Sequence, residues 1–239
     1  MRLRRVLPRR GWRATIFFDV GGTLVDAVVD PADPVVSALD ALGVGGGPVQ
    51  RQEALQAMAH ASAASLYAPS SAAGEARLWW ELARVCLDRL PGGATADRLE
   101  GLAAVLAGYD RWYRPVRGMP ALVGALRRSG LEIGIISNWP PSLEGFLLRL
   151  GFGRFPLIAC SGTLRCAKPD PAIFRWALAR AGKVPAACWH VGNDAAADYA
   201  PAAALGMRAV LWDPAGRCAG QAMCRAGSVA ELRALLLGA

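Results

Sequence analysis

The chain has 239 residues, 54% of them apolar, with a formal charge of +8, which is enough apolar material for one large α/β domain or for a core carrying an insert. No apolar run approaches the ~18 residues of a membrane span, so a soluble protein with no membrane partner is expected. The positive charge sits mainly in Arg2, Arg4, Arg5, Arg9, Arg10 and Arg13, so the remainder is nearly balanced and no nucleic-acid partner is expected.

In chain order, residues 1–13 form a basic tail that lacks the apolar stretch of a secretory signal. Cys86, Cys160, Cys166, Cys188, Cys218 and Cys224 form no CxxC pair, and His60 and His190 lie far from any close thiol pair. Six thiols of that kind fit a reduced, cytoplasmic protein rather than a zinc site. The first strand candidate is "ATIFFDV" (14–20). Residues 28–114 then contain no convincing strand, and their helical stretches fall near 34–42, 51–67, 75–90 and 96–113, separated by glycine- and proline-rich breaks. Strand candidates resume with "LEIGIIS" (131–137), "PLIAC" (156–160), "CWHV" (188–191) and "RAVLW" (208–212), with helical patterns between them. One of these helices, 170–182, has Asp170-Pro171 at its start and Gly182 at its stop. The alternation predicts a doubly wound α/β parallel sheet over 14–27 and 115–239, interrupted by an all-helical insert at 28–114.

Ligands bind such sheets at the carboxyl ends of the strands, and four strand ends here carry chemically useful groups. The first delivers Asp19, Gly21, Gly22 and Thr23, and the second ends in Ser137-Asn138. A loop after the third supplies Lys168, one of only two lysines in the chain, and the fourth ends in Gly192, Asn193, Asp194 and Asp198. Singly, each has a structural explanation: a turn former, a helix cap, an exposed Lys-Pro turn, acids stabilised by a helix dipole. Together and in this order they suit an anionic substrate and a divalent cation.

The order DxxGTL, S-N after an apolar strand, KPDPxIF and GNDxxxDxxxAxxxGM resembles the haloacid dehalogenase superfamily, over nearly the whole chain from residue 14, with the insert resembling its helical type-1 cap on a Rossmann-like core. The resemblance implies a phosphatase or phosphotransferase acting on a small phosphorylated metabolite. Asp19 would be the nucleophile that forms an aspartyl phosphate. Thr23 and Ser137 would donate hydrogen bonds to the transferring group, and Lys168 would balance its charge. Gly22, Asn138 and Arg51 would contact substrate. Mg²⁺ would draw on Asp19, the Gly21 carbonyl, and Asn193, Asp194 or Asp198. A monomer is the default expectation.

Two positions depart from the family pattern. Gly21 stands where the usual phosphatases have an aspartate that protonates the leaving group, help that contributes about 10²–10⁴ in rate. Asn193 stands where an aspartate ordinarily binds the metal, removing one formal charge. A phosphatase without that acid would favour good leaving groups such as acyl or aryl phosphates. Two alternatives stay open: an impaired family member retained for binding a ligand or partner, and a metal-independent dehalogenase-type displacement with Arg51 holding the halide. Imine-based carbon–phosphorus cleavage is set aside because the insert has no lysine. Residues of the insert that could select a substrate include Arg51, His60, Tyr67, Arg77 and Trp80.

Overall fold

The computed structural model describes residues 14–65, 71–218 and 223–238; the basic tail and Tyr67 lie outside them. β1 (Thr15–Phe18) is followed by β2 (Val25–Ala27) and then by the helices α1 (Ala32–Ala41), α2 (Pro48–Ser65), α3 (Ala72–Leu87) and α4 (Ala96–Ala107). A 3-10 turn, Tyr109–Trp112, leads into β3 (Tyr113–Pro115) and α5 (Met119–Arg128). The chain then alternates through β4 (Glu132–Ser137), α6 (Leu143–Arg149), β5 (Leu157–Cys160), the single turn α7 (Ser161–Leu164) and α8 (Pro171–Ala181). It closes with β6 (Cys188–Gly192), α9 (Ala200–Ala204), β7 (Arg208–Trp212), β8 (Arg225–Ala226) and α10 (Val229–Leu237).

The main sheet has the order β5-β4-β1-β6-β7-β8, and every neighbouring pair is parallel. Both faces are covered, which is why its strands read as continuous apolar runs rather than alternations. Along β1, Ile16 and Phe18 join the cluster containing Val123, Leu126 and Leu232 of α5 and α10. Phe17 points to the opposite face, among Ile173, Phe174 and Ala177 of α8. Opposite Phe17 in register is Gly134 of β4; a Cβ there would lie 2.7 Å from the Phe17 ring, so that strand glycine makes room for a neighbour's side chain. Asp170 accepts a hydrogen bond from the Ala172 N–H and Gly182 takes the left-handed conformation, the start and stop expected from sequence.

Two departures from the sequence reading bear on the site. β2 and β3 form an antiparallel ribbon, Val25 opposite Pro115 and Ala27 opposite Tyr113, at the junctions of the helical insert. Strands of three residues are too short to show a period. The helix expected over 96–113 ends at Ala107, and the chain turns at Gly108 into the 3-10 turn. That turn buries Tyr109, which in a continuous helix would follow a different face. No described helix is long and apolar enough to cross a membrane.

Candidate active site

β1 and β6 are hydrogen-bonded neighbours at the centre of the sheet, so their carboxyl ends open side by side. Asp19 follows β1 directly, its N–H bonded to the Val191 carbonyl at 2.8 Å. Its Oδ1 accepts from Ser137 Oγ of β4 at 2.9 Å and from Lys168 Nζ at 2.6 Å. Lys168 also donates to Asp198 Oδ1 at 2.5 Å, bridging two carboxylates. All four side chains are buried. Of the sequence candidates, the structure thus joins Asp19, Ser137, Lys168 and Asp198 in direct contact.

Electrostatics separates the two acids. Burial pushes Asp19 above the usual carboxylate range against the pull of Lys168, and the charge of Asp198 adds to the rise. Asp198 also loses water, but the charge of Lys168 and the hydrogen bond from His190 outweigh that and hold it well below its ordinary value. Burial alone would lower Lys168; Asp19 and Asp198 together raise it instead, so it remains a cation. A permanent ammonium beside a carboxylate is suited to anionic charge developing next to Asp19.

The Lys168 loop is fixed by Asn138. The Asn138 amide donates to the Lys168 carbonyl at 2.9 Å and accepts from the Lys168 N–H at 2.8 Å. A side chain read as a substrate contact therefore clamps the backbone that carries the lysine. On the opposite side, His190 of β6 lies 3.1 Å from Asp198 Oδ1 through Nε2, and Asp198 Oδ2 accepts from the Asp194 N–H at 3.1 Å. Sequence reasoning passed over His190 because it considered that residue only as a zinc ligand. The available signal was its position two residues before Gly192 on a central strand.

The 193–198 segment explains its own composition. Asp194 caps the π-helical turn Ala195–Tyr199, accepting from the N–H groups of Ala196 and Ala197 at 2.7 and 2.8 Å, and it is exposed. The wider π turn, closed by Tyr199 N–H to the Asp194 carbonyl at 3.1 Å, brings Asp198 inward. A Cβ on Gly192 would collide with the Asp198 carboxylate, so only glycine fits there. Both Asp198 oxygens are thus engaged, Oδ1 with Lys168 and His190 and Oδ2 with the Asp194 N–H, and Asp194 serves its helix turn.

Thr23 and Asn193 meet across the next gap, Thr23 Oγ1 donating to Asn193 Oδ1 at 3.3 Å. Gly22 has φ +70 and a Cβ on it would clash with the Asn193 amide, so both conformation and space require glycine. Asp19, the Gly21 carbonyl and Asn193 are oxygen groups of the hard type Mg²⁺ takes, on the loop after β1 and, next to it, the loop after β6. Among the described residues no group of three His, Cys, Asp or Glu side chains is arranged to hold a metal. The fit is to a cation held by neutral oxygens and a single carboxylate, a set poor in charge.

Gly21 adjoins Trp139. A Cβ on Gly21 would lie 3.3 Å from Trp139 Cζ3, so the indole must give by a few tenths of an ångström to admit a side chain there. Arg51 is engaged within the insert, with Nη1 on Asp40 at 2.6 Å and Nη2 on the Val44 carbonyl at 2.9 Å. Those bonds tie α2 to α1 and give Arg51 a structural task. His60, Arg77 and Trp80 are exposed.

A model of the haloacid dehalogenase-like hydrolase family matches residues 14–206. Among curated proteins the chain is 33% identical over 141 residues to mouse haloacid dehalogenase-like hydrolase domain-containing protein 3, covering 56% of this chain and 55% of that one. It is 31% identical over 166 residues to the phosphoserine phosphatase of Thermus thermophilus, covering 66% of each. The chain therefore spans between half and two thirds of the length of these relatives. In fold it is similar to the 2-haloacid dehalogenase of Pseudomonas syringae pv. Tomato, with a TM-score of 0.68 at 21% identity, covering 95% of this chain and 98% of that one.

Proposed function

The chain belongs to the haloacid dehalogenase-like hydrolase family, and from that premise we propose that it is a phosphatase or phosphotransferase that works through an aspartyl phosphate on Asp19 without an internal general acid. The observation that carries this reading is the Lys168 ammonium, buried and shared between Asp19 and Asp198. Phosphatases among the relatives, including the Thermus phosphoserine phosphatase, support a small phosphorylated substrate.

Asp19 attacks phosphorus with a carboxylate oxygen, and the bond to the leaving oxygen breaks with its electron pair departing on that oxygen. Lys168 balances the charge of the carboxylate and the arriving phosphoryl group, and Ser137 and Thr23 donate hydrogen bonds to the phosphoryl oxygens. Asp198 and His190 hold the ammonium in place, and Asn138 fixes the loop that carries it. Water then attacks the aspartyl phosphate, releasing phosphate and restoring Asp19. A bound Mg²⁺ would neutralise phosphoryl charge, and its ligands would be Asp19, the Gly21 carbonyl and Asn193, with Asp194 and Asp198 left to the tasks their hydrogen bonds assign. Work in the cytoplasm is consistent with six free thiols.

A metal-independent displacement at carbon is favoured by one observation, that Lys168 already offsets the charge on Asp19. Trapping with a metal fluoride separates the two readings. A stable complex that requires Mg²⁺ supports phosphoryl transfer; no complex, with halide release in the presence of chelator, overturns it. Gly21→Asp refines the test. The single variant gains little on alkyl phosphates because Trp139 crowds the new side chain. Gly21→Asp with Trp139→Ala restores room for the acid and recovers part of the 10²–10⁴ that general acid catalysis contributes.

A further inference from the structure

Where the helical insert faces the core, the chain forms a half-open cavity of about 680 Å³, within the range of small-molecule sites. Its wall includes Leu55 and Met58 of α2, Trp79 of α3, Tyr109 and Tyr113, and Trp139 forms its floor. Among the described lining residues there is no lysine, arginine or histidine. The one charged side chain in that lining, Asp30, would repel a phosphoryl group, and the aromatic and aliphatic wall suits the uncharged part of a ligand.

The cavity is built by a directed chain of hydrogen bonds. Trp139 Nε1–H donates to Tyr109 Oη at 3.1 Å, and Tyr109 and Ser142 share a hydroxyl contact of 2.7 Å. Ser142 Oγ donates to Glu75 Oε1 at 2.7 Å and its N–H to Glu75 Oε2 at 2.9 Å. The indole and the carboxylate at its ends fix the direction, so the Tyr109 hydroxyl donates to Ser142. Trp79, Tyr113 and Trp139 surround the same tyrosine or each other at centroid distances of 5.2–5.9 Å, a rigid set of aromatic faces and edges.

Three successive residues join this cavity to the Asp19 cluster. Ser137 bonds Asp19, Asn138 clamps Lys168, and Trp139 floors the cavity and stands against Gly21. Beside Gly21, which carries no proton donor, lies the apolar indole of Trp139. We propose that the cavity holds the aromatic ring of the leaving group, so that the substrate is an aryl phosphate monoester. The proposal rests on the phosphatase reading above and adds its substrate class. Chemistry and packing agree, since a phenol ionises near pH 10 as tyrosine does, far more readily than an alcohol. An aryloxide departs with the electron pair of the broken P–O bond and takes its proton from solvent, with no acid at position 21. The net reaction consumes one water and yields a phenol and inorganic phosphate.

The test uses the whole chain with Mg²⁺ and measures phosphate release from 2-naphthyl phosphate, acetyl phosphate and glycerol phosphate. Acetyl phosphate has a good leaving group and no ring. kcat/KM for 2-naphthyl phosphate is expected to exceed that for acetyl phosphate at least tenfold, and Met58→Trp, which fills the cavity, to reduce that ratio at least tenfold through KM. Phenylphosphonate, which cannot be hydrolysed, should inhibit acetyl phosphate turnover at least ten times more tightly than methylphosphonate. It should also shift the emission of Trp79 and Trp139 in metal-free protein. Turnover of acetyl phosphate with no aryl preference and no difference between the phosphonates overturns the cavity assignment and leaves the phosphatase reading standing. Absence of turnover on all three overturns both.

Discussion

At the carboxyl end of the sheet, four polar side chains lie buried within one connected cluster: Asp19, Lys168, Asp198 and His190. In the helical insert, the cavity lining is mainly aromatic and aliphatic, with Asp30, Gln56 and Ser62 among it, and polar contacts across the junction include the chain from Trp139 to Glu75 and the Arg149–Asp110 pair. The core places charge where phosphoryl chemistry would need it; the insert supplies a largely apolar, half-open cavity with no cationic side chain among its described lining. In the low dielectric of a closed site, each ion pair in the core is stronger than it would be in water. The two regions differ in kind: buried ion pairs on one side, apolar and aromatic surface on the other.

Variants that strike each side test that division. Asp19→Asn should abolish turnover of acetyl phosphate by on the order of 10⁴-fold or more, as loss of a nucleophile does, with an unchanged circular dichroism spectrum; residual activity near wild type would break the proposed mechanism. Lys168→Met leaves two buried carboxylates facing each other, and should lower stability by about 3–5 kcal/mol in urea denaturation. If the midpoint does not move, the ammonium is not holding the core end together. Ser142→Ala interrupts the junction between insert and core and leaves Glu75 and Tyr109 short of a partner, a loss of about 1–3 kcal/mol that should come with faster proteolysis between 28 and 114. An unchanged rate there would mean that the Ser142 hydrogen bonds do not hold the insert down.

The smallest effect is in the alkaline limb of stability. Burial pushes the Cys86 thiol of the insert and the Cys188 thiol of the core up to about 11 from 9.0. The unfolded chain loses these protons first, so their contribution is fully present below pH 9 and is lost as pH rises toward 11. Cys86→Ala and Cys188→Ala should each flatten the fall in thermal midpoint between pH 9 and 11. An unaltered slope in both would assign that limb to other groups.

Much of the core was legible because a buried parallel strand has a local signature. "TIFF", "EIGIIS" and "RAVLW" are apolar runs that end at polar groups, and they appear as β1, β4 and β7. Proximity of Asp19, Ser137, Lys168 and Asp198 followed from strand order in a parallel sheet, although they are up to 179 residues apart. The insert gave up its helices but not its interior. Nothing local distinguishes Tyr109 or Trp79 from ordinary packing residues, and a helix expected to run through Tyr109 concealed the turn that brings it to Trp139. The individual duties of Asn138, Asp194 and Asp198 were hidden for a related reason: a strand-end polar residue can face a ligand, a backbone or another side chain, and only the fold selects among them.

By itself the sequence determined the α/β core, the helical insert and the order of chemical groups along the strand ends, because alternating apolar segments and turn residues act over short distances. Tertiary structure alone decided that Trp139 fills the space beside Gly21, that Lys168 lies between two carboxylates, and that an aromatic cavity adjoins them. Those outcomes depend on which surfaces meet after the chain has closed, and side chains far apart in sequence carry no local record of that meeting.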